Sequence, residues 1–268
     1  MNSSQSMLWK WRNFTDALGD DITGIAVSNN YKSLIVAFMN RSGVVSSNGR
    51  SFFVLATGLS YCHYAILLPS GYFMLYTDAG EHIYKINLIT KEQTVLLSNV
   101  GGSAGTRGLA YDSTNHWLYF SGAQLMRSRP DGTELQNITR HLNLSYDNPG
   151  FQIILDDYVD PRNPRIYLAF NGGLYMTNTD GSKEQLIFSS PVEANYTGPY
   201  GVTIGIDSND DKRYIYWSRG RRSKEAILER SVLSDDGCLT TIETIWNQSS
   251  TIEASWFYAL ALVPWKFP

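Results

Sequence analysis

A repeat of about forty to fifty residues constrains this chain more than any other feature of its sequence. In the clearest copy, Gly108-Leu109-Ala110-Tyr111-Asp112 precedes Trp117-Leu118-Tyr119-Phe120-Ser121-Gly122. Leu125-Met126-Arg127, the turn Asp131-Gly132 and Leu135-Gln136-Asn137-Ile138 follow. These are four short strand-like runs separated by turn signals. The same order returns in residues 65–97, 152–188 and 202–245, and more faintly in 24–55. The centres of the second runs are Val36, Tyr76, Phe120, Leu168 and Trp217, spaced by 40, 44, 48 and 49 residues.

Four strands per unit at this period is the pattern of β-propeller blades, each burying its faces only against its neighbours. No stretch sustains a 3.6-residue apolar period, so an all-β, nearly helix-free fold is expected. The first run of each unit is small and apolar, as innermost strands crowding a channel require. A sixth such run, Ala259-Leu260-Ala261-Leu262-Val263-Pro264, has no strands after it. Leu8-Trp9-Lys10-Trp11-Arg12-Asn13-Phe14 could pair beside it as an outer strand, joining both termini in one sheet and protecting the free edges. The expectation is one domain over residues 1–268 with six blades: a closing strand in 1–20, five repeats in 22–245, and a last innermost strand in 257–265. A five-bladed ring with a spare terminal strand is the alternative.

The second runs resemble the tetrad of the YWTD propellers of the low-density-lipoprotein receptor family. Leu75-Tyr76-Thr77-Asp78 and Tyr216-Trp217-Ser218-Arg219 are the nearest matches, while Tyr119-Phe120-Ser121-Gly122 and Tyr167-Leu168-Ala169-Phe170 keep only the Tyr. An apolar run ending in Asp112, Asp156 or Asp207 also fits, as does Leu-x-Arg before Asp-Gly at Arg127 and Arg230. In physical terms Tyr and Trp fill the space between blades, strand-end Asp accepts turn amides, and Asp-Gly closes hairpins. The resemblance implies a binding module rather than an enzyme, with an extracellular protein partner gripped on the channel face. The cysteine-rich modules that usually flank such propellers have no counterpart here.

Ligands on propellers sit where loops lead into the innermost strands. Those positions carry Asp21, His63, Arg107, Gln152, Tyr200 and Trp256, of which His63, Arg107, Gln152, Tyr200 and Trp256 form the candidate binding site. A lactonase-like hydrolase would need several oxygen ligands for calcium, and one carboxylate with one amide falls short. The four His (His63, His82, His116 and His141) have no metal-ligand spacing, and no catalytic or phosphate-binding motif occurs. Gly101-Gly102-Ser103-Ala104-Gly105 lacks the Lys of a phosphate loop and reads as a plain loop. No cofactor is expected. A lectin would repeat an aromatic, an Arg and a carboxylate in every blade; here the equivalents of Arg127 and Arg230 are Lys85 and Met176. A carbohydrate-binding lectin stays the alternative. The basic stretch Arg219-Gly220-Arg221-Arg222-Ser223-Lys224 reads as a solvated hairpin, or as a second contact for an acidic partner.

A net charge of −3 supplies no basic field, so nucleic acid is not an expected partner. No run of 18 apolar residues is present, so no membrane-spanning helix is expected. Acceptor triplets for N-glycosylation occur at Asn2, Asn13, Asn40, Asn137, Asn143, Asn195 and Asn247. They point to secretion, with a signal peptide absent from this chain and with Asn143 and Asn195 the foremost sites. Cys62 and Cys238 fall in different blades and are expected to be free thiols. A monomer is expected.

Overall fold

A computed structural model describes strands 22–27, 33–38, 41–46 and 52–57. From residue 59 to 249 it describes all but 60–61, 79–80, 103–104, 140–141, 143–149, 171, 191–195, 208–209 and 222–224. The expected roles of both terminal segments, and of Asp21, Trp256, His141, Asn2, Asn13, Asn40, Asn143 and Asn195, lie outside the described residues.

Among the described residues, twenty strands form five antiparallel sheets of four, each in simple sequence order. The first sheet holds β1 (Ile22–Val27), β2 (Ser33–Phe38), β3 (Arg41–Ser46) and β4 (Phe52–Thr57). The second holds β5 (Tyr64–Leu67), β6 (Phe73–Thr77), β7 (Ile83–Asn87) and β8 (Gln93–Leu97). The third holds β9 (Leu109–Asp112), β10 (Trp117–Ser121), β11 (Leu125–Ser128) and β12 (Gln136–Asn137). The fourth holds β13 (Gly150–Asp156), β14 (Arg165–Phe170), β15 (Gly173–Asn178) and β16 (Gln185–Ser189). The fifth holds β17 (Tyr196–Ile206), β18 (Arg213–Arg221), β19 (Glu225–Leu233) and β20 (Leu239–Ser249). The described residues contain no α-helix. All five repeat centres read from the sequence fall on second strands.

The first strands pack in series, β1 on β5, β5 on β9, β9 on β13 and β13 on β17. Each sheet therefore presents one flank to the sheet before it and the other to the sheet after it. Because side chains alternate along a strand, neighbouring residues of one second strand serve two different cores. Leu118 and Phe120 of β10 pack with Ile66, Leu75 and Ile83 of the second sheet. Tyr119, between them, packs with Ile153, Ile166 and Leu168 of the fourth. Tyr76 and Met74 face Ile35 and Ala37 of the first sheet. Trp217 and Ile215 face Tyr167 and Met176 of the fourth. Fully buried Trp217, Tyr76, Tyr119 and Tyr167 are thus wedges between sheets, and apolar burial there is what holds the series together.

The Asp-Gly turns between third and fourth strands recur for two reasons. Asp131, Asp180 and Asp236 each accept a hydrogen bond from the backbone N–H two residues on, at 3.0, 2.9 and 3.1 Å. The following glycines have positive φ and lean on the preceding sheet. A Cβ on Gly181, at φ 80°, would stand 1.9 Å from the Ile138 carbonyl oxygen. Only glycine tolerates both demands. Cys62 and Cys238 are free, as the sequence predicts.

Candidate functional site

Residues leading into the first strands meet at one end of the series, the mouth. His63 N–H donates to the Thr77 carbonyl (3.0 Å), and Arg107 N–H to the Ser121 carbonyl (2.8 Å), so both occupy equivalent places in their sheets. Hydroxyls at the third tetrad position tie the second sheet to the third and the third to the fourth at this end. Thr77 Oγ1 donates to the Arg107 carbonyl at 3.3 Å, and Ser121 Oγ to the Phe151 carbonyl at 3.0 Å. Ser121 Oγ also accepts from Gly108 N–H at 3.1 Å. The fourth sheet has Ala169 in this position and makes no such clip. In the fifth, Ser218 Oγ accepts from Gly201 N–H at 3.1 Å, as Ser121 Oγ does from Gly108 N–H.

The glycine-rich segment before Arg107 is more than a plain loop. Gly122 N–H donates to the Gln124 carbonyl, and Ala123 N–H to the Gly101 carbonyl. A Cβ on Gly122 would lie 2.6 Å from the Gly105 carbonyl oxygen and 2.7 Å from that of Gly101. Two backbones approach here as closely as glycine permits, and this contact fixes the base from which Arg107 projects.

Arg107, half-buried, places its guanidinium carbon 5.3 Å from the centre of the Phe151 ring. Phe151 meets Tyr200 edge to face, with centroids 4.6 Å apart. Three successive sheets thus contribute a cation and two rings to one array, in geometries that are attractive for a cation over a π-face and for paired rings. His63 lies close enough to Arg107 to feel its charge. Burial, and then that charge, push the imidazole down to about 4, so His63 is neutral at neutral pH.

Gln152 behaves differently from its neighbours at the mouth. It is 3% exposed, donates from Nε2 to Tyr64 Oη at 2.9 Å, and accepts from Val202 N–H at Oε1 (3.2 Å). One amide therefore spans the channel between the second, fourth and fifth sheets. Desolvation holds the Tyr64 hydroxyl well above the usual phenol range. Tyr200 is 7% exposed, so most of its ring is already covered.

Of the five residues read from the sequence, the structure brings Arg107 and Tyr200 together through Phe151. It sets His63 beside Arg107, turns Gln152 inward, and leaves Trp256 outside the described residues. Phe151 is the residue that sequence reasoning missed. The register of β13 against β14 shifts between Gly150 and Ile153, and a one-residue shift exchanges the inward and outward positions. The signal available was the Phe beside Gln152.

The fifth sheet rises beside this array. Its strands run nine to eleven residues, against two to seven elsewhere. The added pairs, Tyr196 with Arg221 and Glu225 with Ser249, lie at the mouth end. Its base is braced by Glu229, which is 4% exposed. Glu229 accepts from Trp217 Nε1 at 2.7 Å and from Arg219 at 2.8 and 2.7 Å. Arg219, expected on a solvated basic hairpin, is instead committed to this buried carboxylate. Among the described residues no three His, Cys, Asp or Glu side chains cluster as metal ligands.

Sequence comparison finds no matching protein-family model and no matching curated protein. Comparison of structure finds many β-propeller-like neighbours. A protein of unknown function from Bacteroides thetaiotaomicron superposes with TM-score 0.60 at 15% identity, over 88% of this chain and 59% of that one. A candidate TolB from Agrobacterium tumefaciens gives TM-score 0.59 at 13% identity, over 87% of this chain and 83% of that one. An auxiliary nutrient binding protein from B. thetaiotaomicron gives 0.58 at 11% identity, over 84% and 56%. This chain thus spans little more than half the length of the first and third. At these identities the likeness is one of fold: an all-β, β-propeller-like protein built of four-stranded antiparallel sheets. The YWTD resemblance read from the sequence has no family match beside it.

Proposed function

We propose that the chain is a non-enzymatic, secreted binding module of YWTD-like design that takes an extracellular protein partner at the mouth of its channel. The observation that carries this reading is the Arg107–Phe151–Tyr200 array, assembled from three sheets beside a tall fifth one. Arg and aromatic side chains on rigid strands are the commonest anchors of protein interfaces.

Acceptor residues Asn137 and Asn247 are exposed, which supports secretion. Asn137 Oδ1 accepts from Thr139 N–H at 3.1 Å, and the acceptor triplet thereby forms a compact turn at the surface. A carbohydrate ligand is the second reading, favoured by the two rings at the mouth and by the nutrient-binding description of one structural neighbour.

Six blades are part of the proposal, the sixth supplied by residues 1–20 and 257–265 in a single domain. Among the described residues β17 and β1 do not pack together as consecutive first strands do. Val36, between Ile35 and Ala37 that face the second sheet, is itself fully buried, which supports a further layer on the other flank of β2. Removing residues 1–14 should then lower stability or solubility; an unchanged melting curve refutes the closure.

The function is tested by screening the glycosylated protein against secreted ectodomains and a glycan array, then retesting hits with Arg107→Ala and Phe151→Ala. Lost binding at a preserved melting temperature is expected. Unaltered affinity in both variants overturns the assignment to the mouth.

A further inference from the structure

The end of the molecule opposite the mouth carries a second surface, built around Arg213. This residue opens β18 and is 6% exposed. Its guanidinium pairs with Asp156, which ends β13, at 3.2 Å, and donates to the Ser234 carbonyl at 2.9 Å. It thereby pins together the turn 157–164 between β13 and β14, the start of β18, and the turn 234–238 between β19 and β20.

Above Arg213 lies the ring of Tyr158, with the guanidinium carbon 5.2 Å from its centroid. One face of the tyrosine is held by the buried ion pair, yet the residue is 63% exposed. Its neighbour Val159 is 46% exposed, and Ile206, the register partner of Arg213, is 52% exposed. Single exposed apolar residues are ordinary, but three grouped on adjoining turns, with one ring fixed from beneath, form a patch.

The charge around the patch is negative. Asp157, Asp160 and Asp211 are exposed and make no ion pair among the described residues. Asp235 is 94% exposed in its side chain and only grazes Arg213 at 4.0 Å. Of the positive charges nearby, three are paired: Arg213 with Asp156, Arg230 with Asp207 and Glu243, and Lys212 with Asp210. Exposed Arg162 on the same turn and half-buried Arg165 at the start of β14 remain, so four carboxylates face two guanidinium groups and the balance is negative.

We propose that this face docks a lysine- or arginine-bearing segment of a partner protein, with a cation resting on the open face of Tyr158 and its aliphatic stem on Val159 and Ile206. Asp156 neutralises the guanidinium beneath the ring, so the ring keeps its attraction for a second cation. The carboxylates steer the approach and reject acidic segments. This surface is independent of the mouth and stands whether or not the mouth binds anything.

The probe is a synthetic twelve-residue peptide of Lys, Arg and Leu, titrated by fluorescence anisotropy at low and at physiological salt. A Glu-for-Lys/Arg analogue is the control. Binding of the cationic peptide alone, weakening as salt rises, is expected. Tyr158→Ser and the double variant Asp157→Asn/Asp160→Asn should each weaken it about five- to tenfold at an unchanged melting temperature. Arg107→Ala should leave it unchanged, which separates this site from the mouth. Wild-type affinity in both face variants, equal binding of the acidic analogue, no binding at low salt, or loss with Arg107→Ala would each overturn the proposal.

Discussion

Single residues in this protein are constrained mainly by what the neighbouring sheet places against them. Gly181 shows this most sharply, since its positive φ and the Ile138 carbonyl both exclude a side chain. Gly181→Ala should lower stability by roughly 2–4 kcal/mol in denaturant titration, because strain and overlap add at one position. His63 carries a pH dependence of definite sign. Its folded pKa, about 4, lies below the unfolded value near 6.5, so the unfolded chain binds the proton first. The stabilisation from keeping the ring neutral is complete above about pH 6.5 and is lost as pH falls towards 4. His63→Gln should therefore flatten the pH–stability curve between those values, and a curve of unchanged slope would refute the assignment. Both residues were visible in the sequence. The reason for each was not, because an Asp-Gly pair or a loop histidine says nothing of what leans on it.

At the scale of elements, the repeating unit was legible because turn chemistry and strand alternation are local. Asp131-Gly132, Asp180-Gly181 and Asp236-Gly237 mark their hairpins, and the later four second strands were located from their Tyr or Trp, the first from its apolar run around Val36. What the repeat concealed is its unevenness. The fourth strand of the third sheet shrinks to Gln136–Asn137, whereas the fifth sheet grows to eleven-residue strands. The mouth depends on clips between elements, of which Ser121 is the fullest, since its hydroxyl joins Gly108 and Phe151. Ser121→Ala should cost about 1 kcal/mol by leaving the buried Gly108 N–H short of a partner. It should also loosen Phe151, which partner affinity at the mouth would report. The same change at Ala169, to Ser, tests whether the clip is a general device. A matching gain in stability is expected if the added hydroxyl finds the next sheet.

For the whole molecule, the cross-channel amide of Gln152 is the most informative contact. Gln152→Leu keeps the volume but removes the hydrogen bonds that Gln152 makes to Tyr64 Oη and Val202 N–H. Stability should fall by about 2 kcal/mol, as is usual when buried polar groups lose their partners, whereas Gln152→Ala should cost more by opening a void. A neutral Gln152→Leu would show that the sheets need no tie across the channel. Phase along the chain identified Gln152 as a mouth residue, and only the register shift in β13 reveals that it points inward and that Phe151 takes its place. The sequence by itself determined the all-β class, the four-strand unit, the positions of the second strands and the turns that join them. Each of these follows from residues within a few places of one another. The Arg107–Phe151–Tyr200 array, the commitment of Arg219 to Glu229, and the meeting of Tyr158, Asp156 and Arg213 were decided by tertiary structure alone. They join residues ten to nearly a hundred positions apart, and which side chains meet depends on how sheets pack and on single-residue register. Local pattern carries no information about either.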